Sequence, residues 1–567
     1  MSVVERAQAA DEAFFGSLWA RNDAGEDERL SRAGIKYGTA GFRRRGSTLH
    51  GVAFRCGILA SLRSRALGGK ATGIVITASH NPVEDNGVKI IDGDGGMLHM
   101  SWEKHAESIV SAQTSQGLCR TIHEVISSEG VRAETGDEAG VVFIARDTRP
   151  TGECLIAAAI KGIEAIGSAI VGSAGTLRTT PQLHWQVLMR NTDERCDEAD
   201  YFARLRTGCL SLLSKVESKD DSARIPQLTI DCANGVGALK ISSVTEAIET
   251  SGNGTVVVLR NTGEGVVNHL CGADYVQKER VLPTSFQGEV APESLCASLD
   301  GDADRVVFFS SPPSSAPPAP GGGGGGGGID LLDGDKILCL IASHLKERVS
   351  RLDGALEPKP AMGVVQTAYA NGSSTRYLQR NLGLEVVRTK TGVKHLHHAA
   401  LDFDLAVYFE ANGHGTVVFS GHFLERLRAL KDNQDARHLL EVAEIVNPAI
   451  GDALSITLLV YAILTLKGWT HADWHGLYAD VPSRMLKCVV PDRSLIKTIN
   501  AEQEMEDPKE LQVAVDALIA RVSLGRAFVR PSGTEDVVRV YAEAETQKEA
   551  DWLAHEIKAK VSEYFSN

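Results

Sequence analysis

The sequence predicts an α/β fold made of several domains, and three observations lead there. Short apolar, β-branched runs recur along the chain, each ending in a polar loop. Stretches with helical period lie between them, and strands that alternate with helices bury one another as α/β layers. At 567 residues the chain is also too long for one core; a prior of roughly 100–200 residues per domain gives about three to five.

The first clear strand, Gly73-Ile-Val-Ile76, leads into Thr77-Ala-Ser-His-Asn-Pro82. Val141-Val-Phe-Ile144 then opens into Arg146-Asp-Thr-Arg-Pro150, and Gly152 to Ile166 reads as helix. Leu228-Thr-Ile230 ends in Asp231-Cys-Ala-Asn-Gly-Val-Gly237. Asp300-Gly-Asp-Ala-Asp-Arg305 runs into the strand-like Arg305-Val-Val-Phe-Phe309, and Asp335 to Leu352 again has helical period. Leu405-Ala-Val-Tyr-Phe409 leads into Glu410-Ala-Asn-Gly-His414. The most apolar run, Leu454 to Leu466, contains Ser455 and Thr457 and falls short of the ~20 residues of a membrane span, so it reads as a buried helix. Arg530-Pro-Ser-Gly-Thr534 precedes a last strand, Val537 to Ala542. In α/β layers ligands collect at loops beyond strand ends, where these motifs fall.

Residues 310 to 328 break the pattern with a Ser/Pro/Ala run followed by eight glycines. Such a tract has no apolar area to offset its chain entropy, so disorder is expected. It reads as an expanded surface loop between neighbouring elements, tolerated because loop-closure entropy grows slowly with length. A linker between independent domains is the competing reading.

Composition narrows the function classes. A hydrophobic fraction of 43% and a charged fraction of 23% are those of a soluble globular protein. The net charge of -14 argues against nucleic-acid binding, which calls for a basic surface. The ten cysteines are scattered, and Cys232, Cys296 and Cys339 lie in apolar contexts, as expected of reduced core thiols in a cytoplasmic protein. Glu5, Asp11 and Glu12 near the N-terminus do not fit a signal peptide, and no membrane association is expected.

Three motifs carry most of the chemistry. Ser79 sits in a short polar loop directly after an apolar strand; alone it would read as a cap or turn residue, and no Gly-x-Ser-x-Gly elbow accompanies it. Asp300, Asp302 and Asp304 alternate, and an extended segment would point all three carboxylates at one cation. An EF-hand is rejected, because Arg305 and Ser311 stand where Gly and Glu are required; an aspartyl-phosphate nucleophile is the runner-up for this stretch. Three carboxylates leave positions open on Mg²⁺, which a phosphate on Ser79 would fill. Arg530, Ser532, Gly533, Thr534 and Arg539 combine guanidinium groups, hydroxyls and an approachable backbone, as an anion requires. The weaker Glu410 to His414 loop places a carboxylate and an amide where sugar hydroxyls could bind. Together these suggest phosphoryl transfer.

These segments, in this order, resemble the α-D-phosphohexomutase superfamily, and within it the eukaryotic acetylglucosamine branch. The resemblance spans almost the whole chain and also includes Tyr37-Gly-Thr-Ala-Gly-Phe-Arg43, Thr179-Thr-Pro-Gln-Leu183, Asn268 to Asp274, Gln366 to Ser374 and Thr389 to His395. Glu410-Ala-Asn-Gly-His414 is the acetylglucosamine form of the sugar loop. The resemblance implies three related α/β domains plus a smaller C-terminal α+β domain around a central cleft, at 1–205, 206–328, 329–455 and 456–567. It implies that Ser79 is the phosphoserine and, through its phosphate, a ligand of Mg²⁺ together with Asp300, Asp302 and Asp304. It implies that Glu410, Ala411 and Asn412 contact the sugar, while Arg530, Pro531, Ser532, Gly533 and Thr534, with Arg539, hold the non-transferring phosphate.

The implied reaction interconverts N-acetylglucosamine 6-phosphate and 1-phosphate through a bisphosphate, towards UDP-N-acetylglucosamine. N-acetylglucosamine 1,6-bisphosphate or a related sugar bisphosphate would be the activator. A small phosphosugar is the only partner expected, and a monomer is favoured. The general acid or base stays open among His80, Lys89, Lys390, His395 and Arg43. The chain departs from the family in the Pro/Gly tract and in Thr151-Gly152 after Pro150. A phosphoglucomutase or phosphomannomutase is the nearest alternative, and the sugar loop argues against it. A catalytically silent binding protein should have lost Ser79, an aspartate or Arg530. A serine hydrolase would not need the aspartate triplet.

Overall fold

A computed structural model describes residues 2–16, 34–131, 140–192, 195–216, 225–286, 294–310, 328–352, 354–532 and 537–566. The first sheet contains β1 (Phe42–Arg45), β2 (Thr72–Ile76), β3 (Asp85–Ile91), β4 (Val141–Arg146) and β5 (Ala169–Val171), in the order β1-β3-β2-β4-β5. The second contains β6 (Gln227–Asp231), β7 (Val256–Arg260), β8 (Leu295–Leu299), β9 (Val306–Ser310) and β10 (Asp330–Leu332), in the order β10-β9-β8-β6-β7. The third contains β11 (Met362–Thr367), β12 (Glu385–Thr389), β13 (Leu405–Phe409) and β14 (Gly415–Phe419), in the order β12-β11-β13-β14.

These three sheets share one plan. Three neighbouring strands are parallel in each: β2-β4-β5, β8-β6-β7 and β13-β11-β12. One antiparallel strand, β3, β9 or β14, is joined to β2, β8 or β13 by a hairpin connection. The connections at 77–84, 300–305 and 410–414 contain the serine, aspartate and sugar motifs. In the first unit the hairpin precedes its two parallel partners in the chain; in the other two it follows them.

The strands β2, β8 and β13 are buried along their whole length, which explains why they read as continuous apolar runs rather than alternating ones. Helices cover the sheets. Gly152–Ile166 forms as expected and packs on His50–Ala66. Both helices have a glycine at the crossing: a Cβ on Gly162 would come within 1.9 Å of the Phe54 carbonyl, and one on Gly57 within 2.2 Å of that of Ala159. The apolar run becomes the buried helix Ala453–Lys467, capped by Asp452 and stopped by Gly468 in the left-handed conformation.

The fourth unit is smaller. Its sheet has the order β15-β19-β18, with β15 at Ser483–Val489, β18 at Arg526–Pro531 and β19 at Val537–Glu543. A separate hairpin pairs β16 (Lys497–Ile499) with β17 (Glu504–Asp507). Helices Lys509–Ile519 and Gln547–Ser566 complete this unit's own core, whereas one continuous core runs through the second and third units. Residues 205 and 455, expected as unit ends, lie inside helices Glu198–Leu213 and Ala453–Lys467, which both contribute to that shared core.

Residues 311–327 of the Pro/Gly tract lie outside the described residues. The residues flanking them settle what the tract connects. Ser310 and Asp330 are partners in the antiparallel ladder between β9 and β10, so the tract joins two neighbouring strands of one sheet. Replacing 311–327 with a short Gly-Ser loop is therefore expected to change stability by about 1 kcal/mol or less. Thermal melting checks this, and a drop of many degrees would show that the tract packs against the fold.

Candidate active site

The strand β2 delivers Ser79 into a turn where its backbone is left-handed, with φ 51°. That conformation costs an L-residue roughly 1–2 kcal/mol, so the surroundings must impose it. Thr77 Oγ1 accepts from the Ser79 N–H (2.9 Å) and donates to Asp147 Oδ2 (2.7 Å). Arg149, fully buried and paired with Asp147 (3.0 Å), donates to the carbonyls of Ser79 (3.0 Å) and Asn81 (2.7 Å). Asn268, from the second unit, donates to the same Ser79 carbonyl (2.8 Å). The Arg146-Asp-Thr-Arg-Pro150 segment is thus the scaffold of the serine turn.

The Ser79 hydroxyl donates to Asp302 Oδ2 (3.0 Å) and accepts from Lys89 Nζ (2.9 Å) and Arg43 Nη2 (3.0 Å). Of the five acid/base candidates, Lys89 on β3 and Arg43 on β1 are the two placed on Ser79. Burial lowers the Lys89 pKa, but Asp302 at 2.8 Å and Asp304 at 3.0 Å outweigh it and keep the ammonium charged. His80 is held neutral by burial, reinforced by Arg305 and Arg43, and its Nδ1 is buried without a partner. Lys390 lies instead just after β12, and His395 in helix Val393–Ala400.

Asp300, Asp302 and Asp304 converge, but not through an extended segment. The chain turns tightly: the Ala303 N–H donates to the Asp300 carbonyl (3.1 Å), Ala303 is left-handed with φ 58°, and the N–H groups of Asp304 and Arg305 donate to Asp300 Oδ1 (3.0 and 3.2 Å). The turn, not strand alternation, brings one oxygen of each carboxylate within 4.8 Å of the others. Burial drives Asp300 well above the usual carboxylate range, and its two neighbours add to this. In Asp302 and Asp304 burial acts in the same direction but is outweighed, by Lys89 and Thr180 for Asp302 and by Lys89, His414 and Arg305 for Asp304. Three buried oxygens, Asp300 Oδ2, Asp302 Oδ1 and Asp304 Oδ1, have no hydrogen-bond partner. Such a group of hard oxygen donors without hydrogen bonds fits a divalent cation.

The sugar loop is fixed to this turn. Gly413 is left-handed (φ 87°), and a Cβ there would lie 2.0 Å from the Val306 carbonyl, so the loop lies flat on the strand leaving the aspartates. His414 Nδ1 is 3.3 Å from Asp304 Oδ1. Asn412 accepts from the His414 N–H (3.0 Å) and donates to Glu410 Oε2 (3.3 Å), while Glu410 Oε1 accepts from the Gly392 N–H (3.2 Å). Glu410 and Asn412 are thus held together, and Ala411 anchors the loop by accepting from the Gly334 N–H (3.2 Å).

Arg530 and Arg539 are directly opposed on β18 and β19, and Arg539 is opposed on its other side by Lys487 of β15. Facing like charges across a sheet are unfavourable without an anion. Pro531 ends β18, and the Ser532 N–H donates to the Val537 carbonyl (2.8 Å), closing the turn; Gly533 and Thr534 lie outside the described residues. The unit is docked on the third by Glu543, which binds Arg526 (2.6 Å) and accepts from the Gly372 N–H (3.1 Å).

Several residues of the site were not singled out from the sequence. Thr180 donates to Asp302 Oδ2 (2.7 Å) from the start of helix Thr180–Asn191; the Thr-Thr-Pro pattern marks a helix start but not where it points. Asn268 and His414 lay inside quoted motifs without a role. Glu502, which accepts from the Thr391 N–H (2.9 Å) and Oγ1 (2.7 Å), belongs to no motif at all.

Four family models match the chain: phosphoacetylglucosamine mutase AMG1 domain II at 191–307 and domain III at 333–469, and phosphoglucomutase/phosphomannomutase alpha/beta/alpha domain I at 36–117 and C-terminal domain at 485–560. The chain is 46% identical over 552 residues to phosphoacetylglucosamine mutase of Oryza sativa subsp. japonica, covering 93% of this chain and 94% of that one. It is similar in structure to Aspergillus fumigatus N-acetylphosphoglucosamine mutase in complex with GlcNAc-6P and magnesium, with a TM-score of 0.86 at 36% identity over 100% of this chain and 99% of that one. A variant of the same fungal enzyme in complex with glucose 1,6-bisphosphate matches with a TM-score of 0.84 at 36% identity, over 99% of each chain.

The unpartnered carboxylate oxygens give a direct test. Mg²⁺ should raise the melting temperature of the wild type and leave Asp302→Ala unmoved; saturation at a hundredfold excess over Kd corresponds to about 2.7 kcal/mol. Equal shifts in both proteins would show that the aspartates are structural.

Proposed function

Because this chain belongs to the phosphoacetylglucosamine mutase family of phosphohexomutases, we propose that it interconverts N-acetylglucosamine 6-phosphate and N-acetylglucosamine 1-phosphate with Ser79 as the phosphoryl carrier. One observation carries this reading: a serine hydroxyl held by two cationic side chains stands against three buried carboxylates, each with an oxygen that makes no hydrogen bond. The enzyme is an isomerase, and its product feeds UDP-N-acetylglucosamine synthesis.

The reaction is two phosphoryl transfers in opposite directions. The phosphoryl group on Ser79 passes to the free 1-hydroxyl of the 6-phosphate; the P–Oγ bond breaks, a P–O1 bond forms, and the hydroxyl proton leaves to a base. The 1,6-bisphosphate then turns, and its 6-phosphoryl group passes to Ser79 Oγ; the P–O6 bond breaks, a P–Oγ bond forms, the Oγ proton leaves to a base and O6 takes up a proton, which regenerates the carrier. Asp300, Asp302 and Asp304 would hold Mg²⁺, which when bound neutralises charge on the phosphoryl group in flight. Lys89 and Arg43 place two further positive charges at Ser79 Oγ, where positioning and charge neutralisation supply most of the rate. Glu410 and Asn412 read the hexose, with Ala411 holding their loop. Arg530, Pro531, Ser532, Gly533 and Thr534, with Arg539, take the phosphate that is not being transferred.

A sugar bisphosphate serves as activator by loading Ser79. The division into four units, with the serine, aspartate, sugar and phosphate loops one to each, is part of the same reading; the four sheets support it, with the second extended to Leu332 by β10. All these loops come from one chain, so a monomer suffices. All ten cysteines are free thiols, which supports a cytoplasmic enzyme; no described helix is long and apolar enough to cross a membrane.

Ser79→Ala should lose essentially all mutase activity while melting like the wild type, because only one hydroxyl is removed; near-normal turnover would end the assignment. Asn412→Ser should narrow the kcat/KM ratio between N-acetylglucosamine 6-phosphate and glucose 6-phosphate, since it removes an amide that pairs with Glu410. If wild type already prefers glucose 6-phosphate, the acetylglucosamine assignment fails and the mutase mechanism stands.

A further inference from the structure

The hairpin β16–β17 of the fourth unit reaches the third unit at two points. Gln503 Oε1 accepts from Arg388 Nη1 (2.6 Å), and Glu502 Oε2 accepts both donors of Thr391. The same Glu502 oxygen lies 3.4 Å from Arg530 Nε, with both side chains mostly buried, at 14% and 12% exposure. The tip that places it is strained: Asn500, Ala501 and Glu502 are three successive left-handed residues, with φ of 50°, 56° and 67°. Asn tolerates this region, but Ala501 and Glu502 cost roughly 1–3 kcal/mol each, so contacts must hold the turn. A carboxylate is thus held, at a conformational cost, against the guanidinium assigned to the idle phosphate.

We propose that Glu502 is a positioning residue that acts through Arg530 as a competing anion, weakening the phosphate clamp enough for the bisphosphate to let go, turn and rebind. This rests on the reading of Arg530 as a phosphate ligand. A clamp that bound phosphate too tightly would stabilise the bound states alike and slow the turn between the two transfers. Glu502 counters this by sharing the same guanidinium and repelling the incoming phosphate. Thr391 gives the carboxylate a second home: when phosphate takes Arg530, Oε2 still accepts two hydrogen bonds and is not stranded.

The test separates a competing anion from a passive brace. In a Ser79→Ala background, where no phosphoryl group moves, calorimetry measures the Kd of N-acetylglucosamine 6-phosphate. Glu502→Gln should tighten it by about three- to tenfold, the scale of a mostly buried charge pair. Thr391→Val should weaken it, because the carboxylate loses a tether and leans on Arg530. With Ser79 intact, Glu502→Gln should lower both KM and kcat. A brace predicts weaker binding in both variants, so that outcome, or an unchanged Kd in folded Glu502→Gln and Glu502→Ala, overturns the proposal. Arg530→Ala is the reference: if it fails to weaken binding, the clamp reading itself falls, whereas if it weakens binding and Glu502→Gln does not tighten it, the competing-anion role alone falls.

Discussion

Asp302 is buried at the seam between the first and second units, and its Oδ2 accepts from Ser79, Lys89 and Thr180. Three carboxylates in one tight turn cannot be taken out of water together unless donors and cations surround them. The first unit supplies much of that compensation. Lys89 comes from β3, Thr180 from a helix start, and the Thr180 N–H also donates to the Asp302 carbonyl (3.1 Å). The second unit in return holds the serine turn through Asn268. Neither half of the site is satisfied alone, and so the electrostatics of the aspartates also fix how the two units meet.

The site loops occupy equivalent places. Ser79, the aspartates and the sugar loop each lie in the connection between a buried parallel strand and its antiparallel neighbour, and the phosphate turn lies in the β18–β19 connection of the fourth unit. A hairpin connection is short and is held at both ends by a ladder, so each loop is aimed by its sheet. Among the side chains that cross between units are Lys89, Asn268, Thr180, Glu502 and Lys394, which pairs with Glu103 of the first unit. Each site loop is thus held by its own sheet, and the second and third units are further joined by their shared core.

Much of this was legible in the chain. The buried strands announced themselves because both faces are covered, which turns an alternating pattern into a continuous apolar run. The loops showed because glycines, hydroxyls and charged groups followed those runs directly. Within the described residues, the structure brings Ser79 and the three aspartates together, and sets Arg530 against Arg539. What the chain hid was of two kinds. The aspartates converge through a turn with a left-handed Ala303, whereas their spacing suits an extended strand equally well. Thr180 and Glu502 reach the site from elements whose local sequence says helix start or hairpin tip and nothing about direction. Residues 205 and 455 fall inside helices for a related reason: helical periodicity tells that a helix is buried, not which sheet buries it.

The ladder between Ser310 and Asp330 has a consequence for how this chain can vary. A run of eight glycines carries no side chain to pack, so its length can change without removing a packed contact. Here such changes fall between two paired residues on the edge strand β10 and its neighbour β9, so the ladder separates them from the aspartate turn at the other end of β9. Chains with different numbers of glycines would then keep the same site.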